Sequence, residues 1–249
     1  MDRLLYVAMS GAKETLRAQA ANNHNLANAN TSGFKADLSA FQSRAVTGPG
    51  YASRVYATDG TVGWDSSIGS QITTGNPLDV AIQGPGWIAV QDASGNEAYT
   101  RAGDLHVNPD GQLMTATGLP VMSSDDNGPI SVPPFSSINV GADGTVSIVP
   151  QGASAESMST VAQIKLVNPA RDSLQRGTDG LYRTSDGQPA PADAGVQLAP
   201  GVIEGSNVDL ASSMVNMIEL SRNFELQIKA LHTADEDASS STKLLQNAG

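Results

Sequence analysis

The side chains of this chain that can do chemistry are few and scattered. Three histidines, His24, His106 and His232, are its only imidazoles. None has a second histidine at helical ligand spacing, so they read as surface or packing residues rather than metal ligands. Asp125, Asp126, Asn127 and Gly128 gather oxygen donors, but the alternating ligands and closing glutamate of a calcium loop are missing. That run reads as a solvated loop. Gly84-Pro85-Gly86 lacks the third glycine and following helix of a dinucleotide-binding turn and reads as a hairpin turn, and no Gly-x-Ser-x-Gly elbow occurs. The chain has no cysteine, which removes thiolate nucleophiles, thiolate metal sites and disulfides together. The expectation is therefore no enzyme, no cofactor and no metal. A competing reading is a secreted β-rich domain that binds or cleaves glycans, its helical ends accessory. It needs paired acids in a cleft or an aromatic platform, for which Trp64, Trp87, Tyr99 and Tyr182 are the candidates.

The 249 residues carry 14 Lys+Arg against 25 Asp+Glu, a formal net charge of −11. So acidic a chain repels nucleic acid and anionic membranes at long range, and neither is expected as a partner. No run of 18 apolar residues exists, so no membrane insertion is expected. The opening Met1-Asp2-Arg3-Leu4-Leu5-Tyr6-Val7-Ala8-Met9-Ser10 lacks the apolar stretch of a cleavable secretory signal.

The elements that would position any site fall into three parts. Leu5, Met9, Ala12, Leu16, Gln19, Asn23 and Leu26 recur at spacings of four and three, one stripe of a helix. The stripe begins apolar and turns amide-rich, a pattern that sacrifices stability for register against a partner. Asn30-Thr31-Ser32-Gly33 ends that helix. At the other end Ser206 or Asn207 is the expected N-cap, with Asp209 in the first turn. Met214, Met217, Ser221, Phe224, Ile228, Leu231, Asp235, Ala238, Thr242 and Leu245 then form a heptad-like stripe. Between the ends, alternating and apolar runs such as Leu78–Ile82 and Trp87–Val90 are separated by turn signals at Asp92–Asn96, Asn108–Gly111, Ala142–Gly144 and Thr178–Gly180, as in antiparallel β-structure. The expected fold is α+β: long terminal helices forming a coiled-coil-like pair around a central, mainly antiparallel β domain. The expected boundaries are 1–35 for an N-terminal assembly helix, 36–75 for an extended connector, 76–185 for the β domain, 186–205 for a second connector and 206–249 for a C-terminal assembly helix. A helix with a narrow apolar stripe needs a partner to stay helical in water. The isolated chain is therefore expected to have mobile ends and a folded middle, with ordering of the ends coupled to filament formation.

The segment Asn22-Asn23-His24-Asn25-Leu26-Ala27-Asn28-Ala29-Asn30-Thr31-Ser32-Gly33-Phe34-Lys35 resembles the N-terminal signature of bacterial flagellar rod and hook proteins, except that Ser32 stands where that family usually has proline. Thr74–Ile82, Gly84–Trp87 and Tyr99–Asp104 resemble the family's central domain, and Gly201–Asp209 with Met214–Ile218 its C-terminal signature. Length excludes the family's shortest rod subunits and its longer hook protein and leaves the proximal and distal rod branches, of which the opening Met1–Met9 looks more like the proximal. So does Ser221-Arg222-Asn223-Phe224-Glu225, where the distal form usually reads QRAYE. The resemblance implies a structural subunit of the basal-body rod, polymerising into the drive shaft that crosses the periplasm and transmits torque. It implies as partners copies of itself, other rod subunits, the flagellar export apparatus and the surrounding rings, with export by the type III route and no cleaved signal. Stripe and signature residues Leu5, Met9, Ala12, Leu16, Asn23, Leu26, Asn28, Gly33, Phe34, Met214, Met217, Phe224, Ile228 and Leu231 are the expected assembly interface.

Overall fold

The computed structural model describes residues 2–45, 55–126, 128–153 and 157–247. It is α+β, with two long helices and many short antiparallel strands among the described residues. The chain divides into two compact units. One gathers residues 1–29, 36–65 and 208–249, and the other residues 30–35 and 66–207.

The helical unit contains α1 (Asp2–Ala27), β1 (Asp37–Ala45), β2 (Val55–Trp64) and α2 (Leu210–Asn247). Within 26 residues α1 tolerates Gly11, a residue that costs a helix about 1 kcal/mol relative to alanine. The hydroxyls of Ser10 and Thr15 donate back to the carbonyls of Val7 and Gly11, at 2.8 Å each, so neither is left unsatisfied inside the helix. The N-cap of the 38-residue α2 is Asp209, not Ser206 or Asn207. Its carboxylate accepts from the Ala211 amide at 3.0 Å and the Ser212 hydroxyl at 2.7 Å. These bonds hold the Asp209 carboxyl below the usual carboxylate range. α1 packs against α2 and against both strands.

Part of the stretch read as an extended connector is an antiparallel ladder. β1 and β2 pair from Ser39 opposite Thr61 to Ala45 opposite Val55. The small, polar composition that argued against periodic structure does not prevent pairing, because a β-ladder is closed by backbone groups. The signal for β2 was its β-branched and aromatic content: Val55, Tyr56, Thr58, Thr61, Val62 and Trp64.

The β unit runs through β3 (Gln71–Thr73), β4 (Val80–Gln83), β5 (Trp87–Gln91), β6 (Glu97–Thr100), β7 (Leu105–Val107), β8 (Leu113–Thr115), β9 (Phe135–Val140), β10 (Thr145–Pro150), β11 (Ser159–Gln163), β12 (Leu166–Val167), β13 (Leu174–Arg176), β14 (Tyr182–Thr184), β15 (Gln197–Pro200) and β16 (Val202–Glu204). A five-stranded sheet has the order β12-β5-β6-β14-β13 and a three-stranded one β11-β10-β9. β15-β4, β16-β3 and β7-β8 form pairs, and every pairing is antiparallel. Turns expected at Asp92–Asn96, Asn108–Gly111, Ala142–Gly144 and Thr178–Gly180 each close a hairpin between paired neighbours. Asp92 shows how: its Oδ1 accepts from the amides of Ser94 and Asn96, both at 2.9 Å.

Gly84-Pro85-Gly86 is not a hairpin turn. β4 pairs with β15 while β5 pairs with β6 and β12, so this loop carries the chain from one sheet to another. The Arg101 guanidinium holds it there, donating to the carbonyls of Gly84 and Gly86 at 3.0 Å each. The second connector, expected over 186–205, likewise contributes β15 and β16. One core gathers Val80, Ile82, Ile88, Val90, Leu113, Val121, Ile130, Val146, Ile148, Ile164 and Leu198, each at most 1% exposed. β4 and β5 bury consecutive residues, Val80–Ile82 and Trp87–Val90, so both of their faces are covered.

Candidate assembly surface

The two helices meet along a seam built from unlike residues. On α1 the inward positions are Ala8, Gly11, Thr15, Ala18, Asn22 and Asn25, spaced three and four apart, and all but Gly11 are buried. On α2 they are Ser213, Met217, Leu220, Phe224, Gln227, Leu231 and Ala234, again spaced three and four apart; Ser213 and Ala234 are buried and the others half-buried. Ala8, Gly11, Thr15 and Ala18 are thus small where the middle of the α2 seam carries larger side chains, while at one end Asn22 faces the small Ser213. A Cβ added to Gly11 would lie 3.0 Å from the Gln227 Cδ, so the Gln227 side chain of α2 rests against the α1 backbone there. Gly11 opposite Gln227 and Asn22 opposite Ser213 also show that the helices run antiparallel.

The stripe expected on α1 is rotated from the buried face by about one residue. Ala12 is buried, but Met9 is 56% and Leu16 49% exposed, and Asn23 lies in solvent. Asn22 does what was expected of Asn23: its Nδ2 donates to the Ser213 carbonyl at 2.8 Å, a polar contact that fixes register. Leu26 and Asn28 are half-buried, and the Asn28 side chain donates to the His24 carbonyl at 2.9 Å. The side chain of Leu5 lies outside the described residues. On α2 the expected Met217, Phe224 and Leu231 are half-buried on the seam, whereas Met214 is 54% and Ile228 36% exposed. The physical reason for the rotation is size. The alanines, glycine and threonine of α1 leave room for α2 side chains such as Gln227 to lie against it, and the larger Met9 and Leu16 would not.

Asn25 and His24 tie α1 to the start of β1. The Asn25 amide exchanges two bonds with the Asp37 backbone, at 2.9 and 2.7 Å, and His24 Nδ1 lies 2.5 Å from the Asp37 carboxylate. Around them is a polar cleft of about 420 Å³, lined by Ala18, Asn22, Asn25, Asp37, Ser39, Ser213, Asn216, Glu219 and Asn223 among others. At about 100° per residue, Met9 and Leu16 occupy the flank of α1 opposite Ala18 and Asn25. Met214 and Ile218 occupy the flank of α2 opposite Asn216 and Asn223. On the flanks turned away from the cleft the apolar Met9, Leu16, Met214 and Ile218 (55% exposed) stand in solvent, and Val215 and Leu226 are exposed as well on the outward face of α2.

The signature residues Gly33 and Phe34 are buried within the chain's own β unit rather than presented outward. Gly33 has φ +67°, and a Cβ there would collide with the backbone of Arg101 and Ala102, so only glycine fits. Phe34 lies under the Arg176 guanidinium, 4.5 Å from its ring centroid. Lys35 is buried as well: its Nζ is 2.6 Å from Glu204 Oε1, and Arg101 Nε is 2.7 Å from Glu204 Oε2. Sequence reasoning missed this triad because its members lie 66 or more residues apart and none sits in a motif with known chemistry.

The aromatic residues that a glycan site would expose are all covered. Trp64 is 8%, Trp87 5%, Tyr99 1% and Tyr182 2% exposed. Burial pushes the Tyr99 hydroxyl far above its usual pKa; it donates to Glu97 at 2.9 Å and accepts from the Ala190 amide at 2.7 Å. Among the described residues no group of three or more His, Asp or Glu side chains is placed to hold a metal, and no helix is long and apolar enough to cross a membrane.

Residues 5–35 match a family described as flagella basal body rod protein, 81–148 the flagellar hook protein FlgE/F/G D1 domain, and 199–244 the flagellar basal body rod FlgEFG protein C-terminal family. The flagellar basal-body rod protein FlgF of Escherichia coli K12 is 41% identical over 251 residues, covering 98% of this chain and 99% of that protein. FlgF of Salmonella typhimurium shows the same identity and coverage. The flagellar basal-body rod protein FlgG of Buchnera aphidicola (Schizaphis graminum) is 32% identical over 86% of this chain and 88% of its own length.

Proposed function

This chain belongs to the flagellar basal-body rod protein family, and on that premise we propose that it is a structural subunit of the proximal rod, polymerising through α1 and α2. The single observation that carries the mechanism is the apolar side of the helix pair, with Met9, Leu16, Met214 and Ile218 about half exposed. One chain leaves that side uncovered, and a row of large apolar groups in water favours association. Contacts repeated between copies without closing on themselves build a helical wall. The seam spacing supports an antiparallel coiled-coil-like pair as the unit that assembles. In this reading the expected interface divides in two. Met217, Phe224 and Leu231 hold the pair together, while Met9, Leu16, Met214 and Ile228 meet neighbours; Ala12 is buried within the chain, and Gly33 and Phe34 anchor the segment after α1 in the β unit.

Identity of 41% over nearly the full length of FlgF from Escherichia coli and Salmonella typhimurium supports the proximal branch. Partners under this reading are copies of the chain and other rod subunits, the export apparatus during delivery without a cleaved signal, and the rings around the rod where it crosses the periplasm. The test is electron microscopy of isolated basal bodies carrying a tagged form of the chain. Density for the tag in the rod wall is the expected result, and intact rods that lack it refute the proposal.

A further inference from the structure

Glu204 stands where several passages of the chain come together. The chain passes between its two units after residues 29, 35, 65 and 207. Lys35 is the last residue before one passage, and its Nζ bonds both Glu204 Oε1 and the Ser67 carbonyl, each at 2.6 Å. Gly69, just after the passage at 65, donates its amide to Glu204 Oε1 at 3.0 Å. Glu204 itself lies three residues before the passage at 207, and its own carbonyl accepts the Gly33 amide at 2.8 Å. Arg101, from the centre of the β unit, supplies the remaining bond to Oε2. The Lys35 and Glu204 side chains are at most 1% exposed and that of Arg101 5%.

Stability alone is a poor reason for such a cluster. Well-packed apolar residues of similar volume generally do as well as a buried ion pair, while breaking the pair from one side is costly. Two cations also share one carboxylate, and the surplus positive charge is taken up by backbone carbonyls: Ser67 for Lys35, and Gly84 and Gly86 for Arg101. What the cluster supplies is conditional geometry, because each charge is tolerable only while the others are in place. We propose that Glu204 is a junction latch. It makes the segments around residues 33–35, 67–70 and 204–207 open and close as one unit, separately from the core strands. The inference rests on contacts within the β unit and holds whether or not the chain is a rod subunit.

Hydrogen exchange on the full chain tests it, using Lys35→Met, which leaves a balanced Arg101–Glu204 pair, and Glu204→Gln. In Lys35→Met the amides of Gly33, Gly69 and Gly205 are expected to exchange faster together, by about tenfold, with those of β5 and β10 within about twofold of the parent. Lys35→Arg restores much of the protection. A rise spread evenly over the β unit, or acceleration at one junction without the other two, overturns the latch. If Glu204→Gln unfolds the unit altogether, Lys35→Met still decides between these outcomes.

Discussion

Replacing Ile218 with aspartate separates the fold of the helix pair from its association. Ile218 is 55% exposed, and surface substitutions usually change stability by no more than about 0.5 kcal/mol. The helicity and melting of the isolated chain should therefore barely move. In an assembled wall the same position is covered. Full burial of an isoleucine side chain is worth about 1.5–3 kcal/mol, and roughly half of that remains to be gained here, about 1 kcal/mol. The variant loses this and also places an unpaired carboxylate in an apolar contact, a penalty of about 3 kcal/mol or more. Together these come to about 4 kcal/mol, or roughly a thousandfold weaker association at each contact. The assay pairs circular dichroism of purified protein with motility and electron microscopy of basal bodies in cells whose only copy of the gene carries the substitution. A well-folded chain that builds no rod is the expected pair of results. Normal rods built from Ile218→Asp would refute the assignment of that side as the contact, and a chain that fails to fold would show that Ile218 belongs to the monomer's own packing.

The seam gives a second test. Gly11→Leu forces bulk against Gln227, where even a Cβ sits at 3.0 Å, and is expected to lower stability by about 1–3 kcal/mol in thermal melts, whereas Gly11→Ala stays near neutral because its helix propensity offsets the displaced Gln227. If helix ordering is coupled to assembly, amides of residues 210–235 in dilute protein exchange much faster than those of β5 and β10; equal protection at low concentration refutes that coupling. Asp104 has a buried Oδ1 without a hydrogen-bond partner, and burial raises its pKa above the usual carboxylate range. The native state then disfavours the ionised form, so this residue's contribution weakens as pH rises from the unfolded value near 4 through the folded one. Asp104→Asn should raise the melting temperature at pH 7, with the gain shrinking toward pH 4; a gain independent of pH refutes the charge-burial account. Asp92 and Asp179 run the other way. The Arg183 guanidinium lowers both, so their contribution is present above pH 4 and declines in acid.

The terminal helices were legible because periodicity survives wherever a helix buries a stripe, and the 3–4 spacing on α2 includes the half-buried Met217, Phe224 and Leu231. On α1 the apolar stripe and the face buried within the chain differ by about one residue. Here the inside is marked by smallness: Ala8, Gly11, Thr15 and Ala18 admit α2, and Met9 and Leu16 are left facing outward. Turns whose Asp or Asn side chains bind nearby amides, such as Asp92 and Asn108, were readable because their chemistry is local. Gly84–Gly86 was misread as a hairpin because what holds it, Arg101, lies outside any local window. The Lys35–Glu204–Arg101 triad was invisible for the same reason, whereas the β1–β2 ladder was missed because its small, polar strands lack alternating hydrophobicity.

The dissimilar halves of the helix seam have a consequence for which helix can dock with which. The broad side chains of one helix need the hollows of the other, so two copies of α2 laid together would clash and two of α1 would leave gaps. Yet nothing in those contacts requires both halves to come from one molecule. An α1 from one copy and an α2 from the next would meet across an identical surface, so helix exchange between subunits would preserve every seam contact while linking separate molecules into one continuous body.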